Sequence, residues 1–386
     1  MPSPGDRRAR SVLFHALLTL GLLTGADARA HGDGAADADV RIAFAEQRLA
    51  AAPSLHPAMN ELALAYLDKA KATFDPAWVK KAREMTDRSL AVQETFEALR
   101  ARMMIESYAH RFEEAARFGQ RAAAASANGS ADPDPEIRAG LVEIHLALGR
   151  NEDAERYVPS QKAAAEQLEA AWARAQWEMA RGDAAEAARL WTQAIALGHR
   201  ARSAQHAGWA AVAAAQANLA RGDLAAAAAS IEQARTLLHE PETSASFASA
   251  HAQLLSAQHQ DDRALAVLER ALTARPRHGE LHRQAFAVAR RLARSEAARQ
   301  HFVAAESAYR AVIDAGEAYT IGALARLYLD AGEKLEEAKA LAFRNLEMRR
   351  DPEAHRLAQQ AAAAAADQDL RSGSIPSSRM SMACAR

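Results

Sequence analysis

The histidines are the residues of this chain best suited to metal chemistry. His278 and His282 stand four apart in "PRHGELHRQ", a spacing that places two side chains on one helical face. No nearby carboxylate or thiol obviously completes a ligand set around them. His31 would become the amino-terminal residue after cleavage of a leader at Ala30, and such a histidine can chelate copper through its amine and imidazole. Exported metal binding through His31 or through His278 and His282 is therefore an alternative function, and no metal site is predicted.

Motifs for other chemistry are missing. The sequence has no Walker loop, dinucleotide-binding glycine pattern, nucleophile elbow or HExxH. An arginine-rich stretch over residues 275–310 carries eight Arg against three Glu, but no aromatic platform for bases is interleaved with it. The formal net charge of the chain is −1. We therefore expect a protein that is not an enzyme, binds no cofactor and has no nucleic-acid partner.

A tetrapeptide occurs twice. "MARGDAAEAARLW" and "LARGDLAAAAASI" carry Ala-Arg-Gly-Asp forty residues apart. Arg-Gly-Asp is read widely as an adhesion signal, but Gly182 and Gly222 stand where a helix would stop, since glycine tolerates the left-handed conformation. Asp183 and Asp223 follow as good N-caps, and Glu186 is placed for a capping box. These segments are predicted to be tight turns between helices.

The elements around these turns are helical and repeated. Alanine, the best helix former, is abundant, aromatic residues make up only 5% of the chain, and no run alternates β-branched residues. A small residue recurs a few positions into a second helix, with another small residue often seven positions later and a large one often four later, all on one helical face. Successive anchors are 33 to 40 residues apart: Ala82, Ala115, Ala154, Ala187, Ala227, Ala264, Ala298 and Ala338.

This pattern resembles the tetratricopeptide repeat, a helix–turn–helix unit of about 34 residues. The clearest copy, "ARAQWEMARGDAAEAARLWTQAIALGHR", has Ala175 in its first helix, Gly182 and Asp183 at its turn, and then Ala187, Trp191 and Ala194. Pro276 supplies the closing proline of another copy. The longer spacings depart from the family and predict longer helices or loops. The resemblance implies an all-α, right-handed solenoid of about eight helix pairs.

The family binds partner peptides in a concave groove lined by the first helices, which implies a protein or peptide partner for this chain. Carried over from the anchors, the predicted groove residues are Arg100, Met104, Glu143, Trp172, Gln176, Trp209, Gln216, Gln253 and Arg283. The three glutamines would form a column of amides able to bind an extended backbone, and the two tryptophans would be apolar anchors. The alternative is that the tryptophans belong to the core and the glutamines are merely solvated.

Both ends of the chain carry processing or tail signals. A basic segment, the short apolar run "SVLFHALLTLGLL" and "ADARA" predict a signal peptide over residues 1–30, cleaved after Ala30, and a periplasmic or secreted protein with no membrane span. The solenoid is expected over 31–366, with a lead-in helix near 37–53 and a closing helix near 352–366. A disordered tail is expected over 367–386, which contains the single Cys384, so no internal disulfide forms. A structural subunit of a cell-envelope assembly is a third possibility.

Overall fold

A computed structural model describes residues 35–126 and 133–372, and these residues form α-helices, one short 3₁₀ turn and no strand. Numbered in chain order, the helices are α1 (Ala35–Ala51), α2 (His56–Thr73), α3 (Pro76–Val92), α4 (Phe96–Tyr108), α5 (Phe112–Ser126), α6 (Pro135–Ala147), α7 (Asn151–Glu155), α8 (Gln161–Glu166), α9 (Leu168–Ala180), α10 (Ala184–Arg200), α11 (Ala204–Ala220), α12 (Leu224–Leu237), α13 (Ala245–Ala257), α14 (Asp261–Ala274), α15 (Gly279–Arg291), α16 (Ser295–Asp314), α17 (Ile321–Ala331), α18 (Leu335–Met348) and α19 (Pro352–Ser372).

Eight helix pairs follow one another in the described residues, and each pair packs on its neighbours. They are α2 with α3, α4 with α5, α6 with α7, α9 with α10, α11 with α12, α13 with α14, α15 with α16, and α17 with α18. All eight alanine anchors lie in second helices and are at most 5% exposed. The all-α solenoid of about eight pairs is thereby confirmed, and its core is a chain of neighbour contacts.

The irregular spacings have local causes. Helices α10 and α11 are seventeen residues long and α16 is twenty, which accounts for anchor spacings of forty. The second helix of the third pair, α7, stops after five residues, and Pro159 lies just beyond it, where a proline would interrupt a continuing helix. Helices α10 and α11 approach each other closely at Gly198, where a Cβ would lie 2.8 Å from the backbone nitrogen of Ala207.

The ends differ slightly from expectation. The lead-in helix α1 spans 35–51 instead of 37–53, and the closing helix α19 continues to Ser372, six residues beyond the expected end at 366. No helix-breaking residue interrupts the sequence before Gly373, so residues 367–372 are helical and not part of a disordered tail. The predicted signal peptide, the rest of the predicted tail and Cys384 lie outside the described residues.

Each pair turns through at least one residue with a left-handed backbone. These residues are Phe74, His110, Gly149, Gly182, Gly222, His259, Ala293 and Gly332, and the α17–α18 turn has a second one, Lys334. At the two repeated tetrapeptides the carboxylate of Asp183 accepts a hydrogen bond from the Glu186 backbone nitrogen at 2.9 Å, and that of Asp223 accepts one from Ala226 at 3.0 Å. The predicted turns and N-caps are confirmed. The Glu186 carboxylate itself binds Arg189, so the capping box stays incomplete.

The first helices of the pairs line the concave side. Successive first helices contact one another along the array more closely than successive second helices do, which makes their side the tighter edge of the curve. They are also the more deeply buried helices, since α11 is buried on nearly every face. Inward side chains of α2, α4, α6, α9, α11, α13, α15 and α17 therefore define the inner wall.

The array closes on itself along a contact that we call the seam. Three turns within N-terminal pairs, α2–α3, α4–α5 and α6–α7, meet three loops between C-terminal pairs, α14–α15, α16–α17 and α18–α19, in the same order. Pair one thus meets the junction of pairs six and seven, and each later contact advances by one pair. A constant offset of this kind is what successive turns of a superhelix produce.

Candidate functional site

All nine predicted groove residues lie on first helices of the pairs. Arg100 and Met104 belong to α4, Glu143 to α6, Trp172 and Gln176 to α9, Trp209 and Gln216 to α11, Gln253 to α13, and Arg283 to α15. They divide into core residues, residues whose polar atoms have partners, and residues with polar atoms that have none. Only the last group suits the contact with a partner that the sequence predicts.

The tryptophans are core residues. Trp172 and Trp209 are 2% and 3% exposed and belong to the central apolar cluster, and Met104 is 7% exposed in the N-terminal one. Trp172 packs edge-on against Trp191 of the second helix of its own pair, with ring centroids 4.6 Å apart. The expectation that these tryptophans are exposed anchors is wrong, because each is needed to fill the space between the two helices of its pair and the next pair.

The charged members brace the inner wall. Arg100 of α4 donates to Glu136 of α6 at 2.8 Å, and Arg283 of α15 donates to Asp330 of α17 at 2.7 Å as well as to Glu280 in its own helix. Burial opposes the charge on Arg283, but Glu280 and Asp330 outweigh burial and raise its pKa. These arginines tie successive first helices together.

The amide column contains buried polar atoms without partners. Gln253 donates to Ser249 Oγ at 3.0 Å, whereas Gln176 Oε1 and Gln216 Nε2 are buried and have no hydrogen-bond partner in the described residues. Gln284 Oε1 on α15 and Trp172 Nε1 are in the same state. A buried polar atom without a partner costs about 1–3 kcal/mol, so a ligand that pairs with such atoms gains more than one that pairs with solvated groups. These atoms lie on α9, α11 and α15.

Aromatic side chains interlock across the seam. Phe74, in the α2–α3 turn, lies 5.3 Å from His278, 6.3 Å from Tyr309 and 6.2 Å from Tyr319, measured between ring centroids. Tyr319, from the α16–α17 loop, packs in turn on Tyr108 of α4 at 5.0 Å. Each edge therefore inserts an aromatic residue into the apolar cluster of the other edge.

An ionic network crosses the seam beside these rings. Arg83 of α3 donates to both oxygens of Glu317 at 2.9 and 3.3 Å and to Glu106 at 3.1 Å. Glu106 is fully buried and also receives Arg102 and Arg111 at 2.6 and 3.2 Å. Burial disfavours the charged form of Arg83, but its bond to Glu317 and the two carboxylates outweigh that effect and raise its pKa.

The third seam contact is a backbone contact. The Arg350 N–H donates to the Ala147 carbonyl at 2.8 Å, and the Arg349 guanidinium lies 5.9 Å from the Phe112 ring centre. Burial, together with the Arg349 charge, holds the pKa of His110 well below its usual range. Burial and the charge of Arg275 likewise lower the pKa of His278 to about 4. Both seam histidines are therefore neutral at pH 7.

The two histidines of the alternative metal hypothesis have different partners. His278 caps α15, where its Nδ1 accepts from the Leu281 backbone nitrogen at 3.4 Å. His282 instead bonds His301, with 3.0 Å between the Nδ1 atoms, and the Pro276 carbonyl at 2.9 Å. In the described part of the chain no three His, Cys, Asp or Glu side chains are placed to hold a metal ion. His278 and His282 thus bind different partners, and His31 lies outside the described residues.

Sequence reasoning missed the seam entirely. One signal was available: at the left-handed turn position, where glycine is favoured, the first two pairs carry Phe74 and His110. A bulky residue with a positive φ is uncommon and costs about 1–2 kcal/mol, so the surroundings must hold it there. Phe74 packs on a set of rings some two hundred residues further along the chain, which no local pattern reveals.

The array of helix pairs, the buried alanine anchors and the left-handed turn residues together define a tetratricopeptide-like α-solenoid. No family model and no curated protein matches the sequence. Among solved structures, a chain of the APC/C hetero-tetramer Cut9-Hcn1 is 12% identical with a TM-score of 0.43, covering 77% of this chain and 55% of that one, so this protein spans about half of its length.

Two further solved structures are similar at the same level. A tetratricopeptide repeat protein from Parabacteroides merdae is 13% identical, with a TM-score of 0.42 and coverage of 69% of this chain and 98% of that one. Human IFIT1, solved as a dimer with PPP-AAAA, is 17% identical, with a TM-score of 0.42 and coverage of 76% and 67%. Within the described residues, none of the helices has the length and apolarity needed to cross a bilayer.

Proposed function

We propose that this protein is an exported, non-catalytic interaction scaffold whose inner wall holds an extended segment of a partner protein. The observation that carries the proposal is the set of buried amide and indole atoms without partners on α9, α11 and α15. An extended backbone offers alternating donors and acceptors at intervals, which amide side chains can satisfy without reading the sequence of the segment. Gln176, Gln216 and Gln284 are the residues assigned to this contact.

Export is part of the same proposal. Its support is the basic segment, short apolar run and small residues that precede His31. The expected location is the periplasm or the medium. Sequencing the amino terminus of the protein purified from its own cells tests this point, and a chain that begins at His31 is the expected result. A chain that begins at Met1 or Pro2 contradicts export through this signal.

Site-specific photo-crosslinking in living cells tests the inner wall. A photoreactive residue replaces Gln253 on the inner wall in one strain and Gln300, exposed on the second helix α16, in another. We expect defined adducts from position 253 and none from position 300. Equal adducts from both positions, or none from 253, would contradict binding along the inner wall.

A pair of substitutions sharpens the test. Gln176→Met with Gln216→Met keeps the side-chain length and removes both amides, so the adduct yield at 253 should fall about tenfold, as expected for two lost hydrogen bonds. The matched control is Gln233→Met with Gln300→Met, which alters two exposed glutamines on second helices and should leave the yield unchanged. Equal yields in the two double variants would rule out the amides as the contact.

A further inference from the structure

The seam is thin compared with the joints between neighbouring pairs. Neighbouring helices pack along their lengths, whereas the two edges of the seam meet through turns, loops and side chains. Because each pair in a solenoid contacts only its neighbours, the array can flex without unfolding any pair. The seam is therefore the contact in the ring that can break while all eight pairs stay folded.

Its chemistry also favours reversible contact. The bonds across it are an Arg83–Glu317 ion pair, backbone acceptors at Ala72 and Ala147, and a half-exposed Arg277–Asp75 pair whose charged atoms are 3.7 Å apart. Aromatic rings fill the space between them. The charged groups, the tyrosine hydroxyls and the backbone acceptors can bond to water when the edges separate, whereas Phe74 loses apolar contacts.

Strain is stored on the N-terminal edge of the seam. Phe74 and His110 have φ values of 57° and 58°, in a region where side chains other than glycine are unfavourable. His259 has the same backbone conformation away from the seam, so the turn itself imposes it, and Phe74 in addition packs on rings across the seam.

We propose that the seam is a clasp that opens reversibly and, by opening, admits the partner segment sideways to the inner wall. Where the seam is closed, successive turns of the superhelix are in contact, so a segment in the middle of a long chain can pass between them to the inner wall only when the clasp is open. This proposal rests on the proposed function for the identity of the ligand, but the opening itself is a property of this chain alone. Its two parts are therefore measured separately.

Distance measurement tests the opening without any partner. In a Cys384→Ser background, Asp75→Cys with Arg277→Cys carries a spin label on each edge of the seam. A matched pair, Glu113→Cys with Arg150→Cys, bridges two neighbouring pairs on the N-terminal edge of the seam and does not cross it. We expect two distance populations for the seam pair and one for the control. Tyr319→Ala, and independently Arg83→Gln, should increase the longer population, with circular dichroism unchanged.

Locking tests what the opening is for. A short bismaleimide joins the two seam cysteines, and the same protein capped with a monofunctional maleimide is the control. The probe is a tryptic digest of the cell-envelope extract, whose bound peptides are eluted and quantified. Short tryptic fragments can enter from the ends, so the digest serves as a reference. The decisive probe is the undigested, denatured extract, whose long chains cannot enter in this way. We expect the locked protein to retain at least about tenfold less of this extract than the capped protein does.

Each outcome decides one part. A single distance population in the wild type and in both variants overturns the clasp. If the wild type has two distance populations but locked and capped protein retain equal amounts of the extract, the seam opens without serving to load the partner. That result overturns the second part of the proposal. If neither protein retains anything from digest or extract, the proposed function fails, while the distance measurement still decides whether the seam opens.

Discussion

The turns of the first two pairs and those of the fourth and fifth have the same backbone but opposite surroundings. Gly182 and Gly222 adopt the left-handed conformation at no steric cost, and a Cβ at either one would have no atom within 4 Å. Phe74 and His110 adopt it under strain and are packed against the seam. Of these four turns, the two with glycine only join helices, and the two with side chains also make long-range contacts across the seam.

The largest expected difference concerns the ion pairs of the two regions. Arg83→Ala removes one of three arginines from the fully buried Glu106 and leaves Glu317 without its bidentate partner. We expect a loss of about 3 kcal/mol in the free energy of unfolding. Arg189→Ala breaks the exposed Arg189–Glu186 pair beside Gly182 and should cost less than about 0.5 kcal/mol. Urea denaturation measures both, and similar costs would contradict the buried network at the seam.

Glycine substitution compares a packed turn with an open one. A Cβ on Gly149 would lie 2.6 Å from the Arg350 carbonyl oxygen, whereas Gly182 has open space around it. Both Gly149→Ala and Gly182→Ala pay about 1 kcal/mol for a left-handed alanine. Only Gly149→Ala must also push the α18–α19 loop away, for a total of about 2–3 kcal/mol. Equal shifts of the denaturation midpoint would mean that the loop does not rest on this turn.

Replacing a left-handed turn residue by glycine should have opposite effects on stability in the two regions. His259 is an exposed left-handed turn residue away from the seam, so His259→Gly should stabilise the protein by about 0.5–1 kcal/mol through relief of strain. Phe74→Gly relieves the same strain but loses the contacts with His278, Tyr309 and Tyr319, and should destabilise by about 1–2 kcal/mol. Thermal unfolding of the two variants checks this, and stabilisation by both would show that Phe74 contributes nothing across the seam.

Acid should weaken the seam through His278. Burial and Arg275 hold its pKa at about 4 in the folded protein, below its value of about 6.5 when unfolded. Its contribution is complete above pH 6.5 and is lost as the pH falls towards 4, by up to about 1.4 kcal/mol per pH unit. His278→Asn keeps an N-cap without titrating, so stability of the wild type relative to this variant should fall over that window. A constant difference between pH 7 and 4.5 would contradict the shifted pKa.

The smallest effects belong to the repeated tetrapeptides. Asp183→Ala and Asp223→Ala each remove an N-cap and should cost about 1 kcal/mol, additively, because the two turns are in different pairs. A cell-attachment assay on the same variants should show no dependence on either carboxylate. Attachment lost in both variants would restore the adhesive interpretation.

The sequence by itself determined the repeating part of this protein. Alanine anchors, turn glycines and capping aspartates act over a few residues or between neighbouring helices, so their spacing predicted the eight pairs, the turn positions and the placement of all nine groove residues on first helices. It did not determine exposure: Trp172 and Gln176 lie one helical turn apart, yet only contacts with the next pair decide that the first is core and the second is half-buried.

The tertiary structure alone decided that the array closes. The small rotation between neighbouring pairs accumulates over about six of them before the edges meet, so no local pattern encodes whether Tyr319 reaches Tyr108 or whether Arg83 reaches Glu317. Helix, turn and cap are properties of short segments, and the seam is a property of their summed geometry. The anchors therefore identify the solenoid from sequence, whereas the ring and its clasp required the positions of residues two hundred apart.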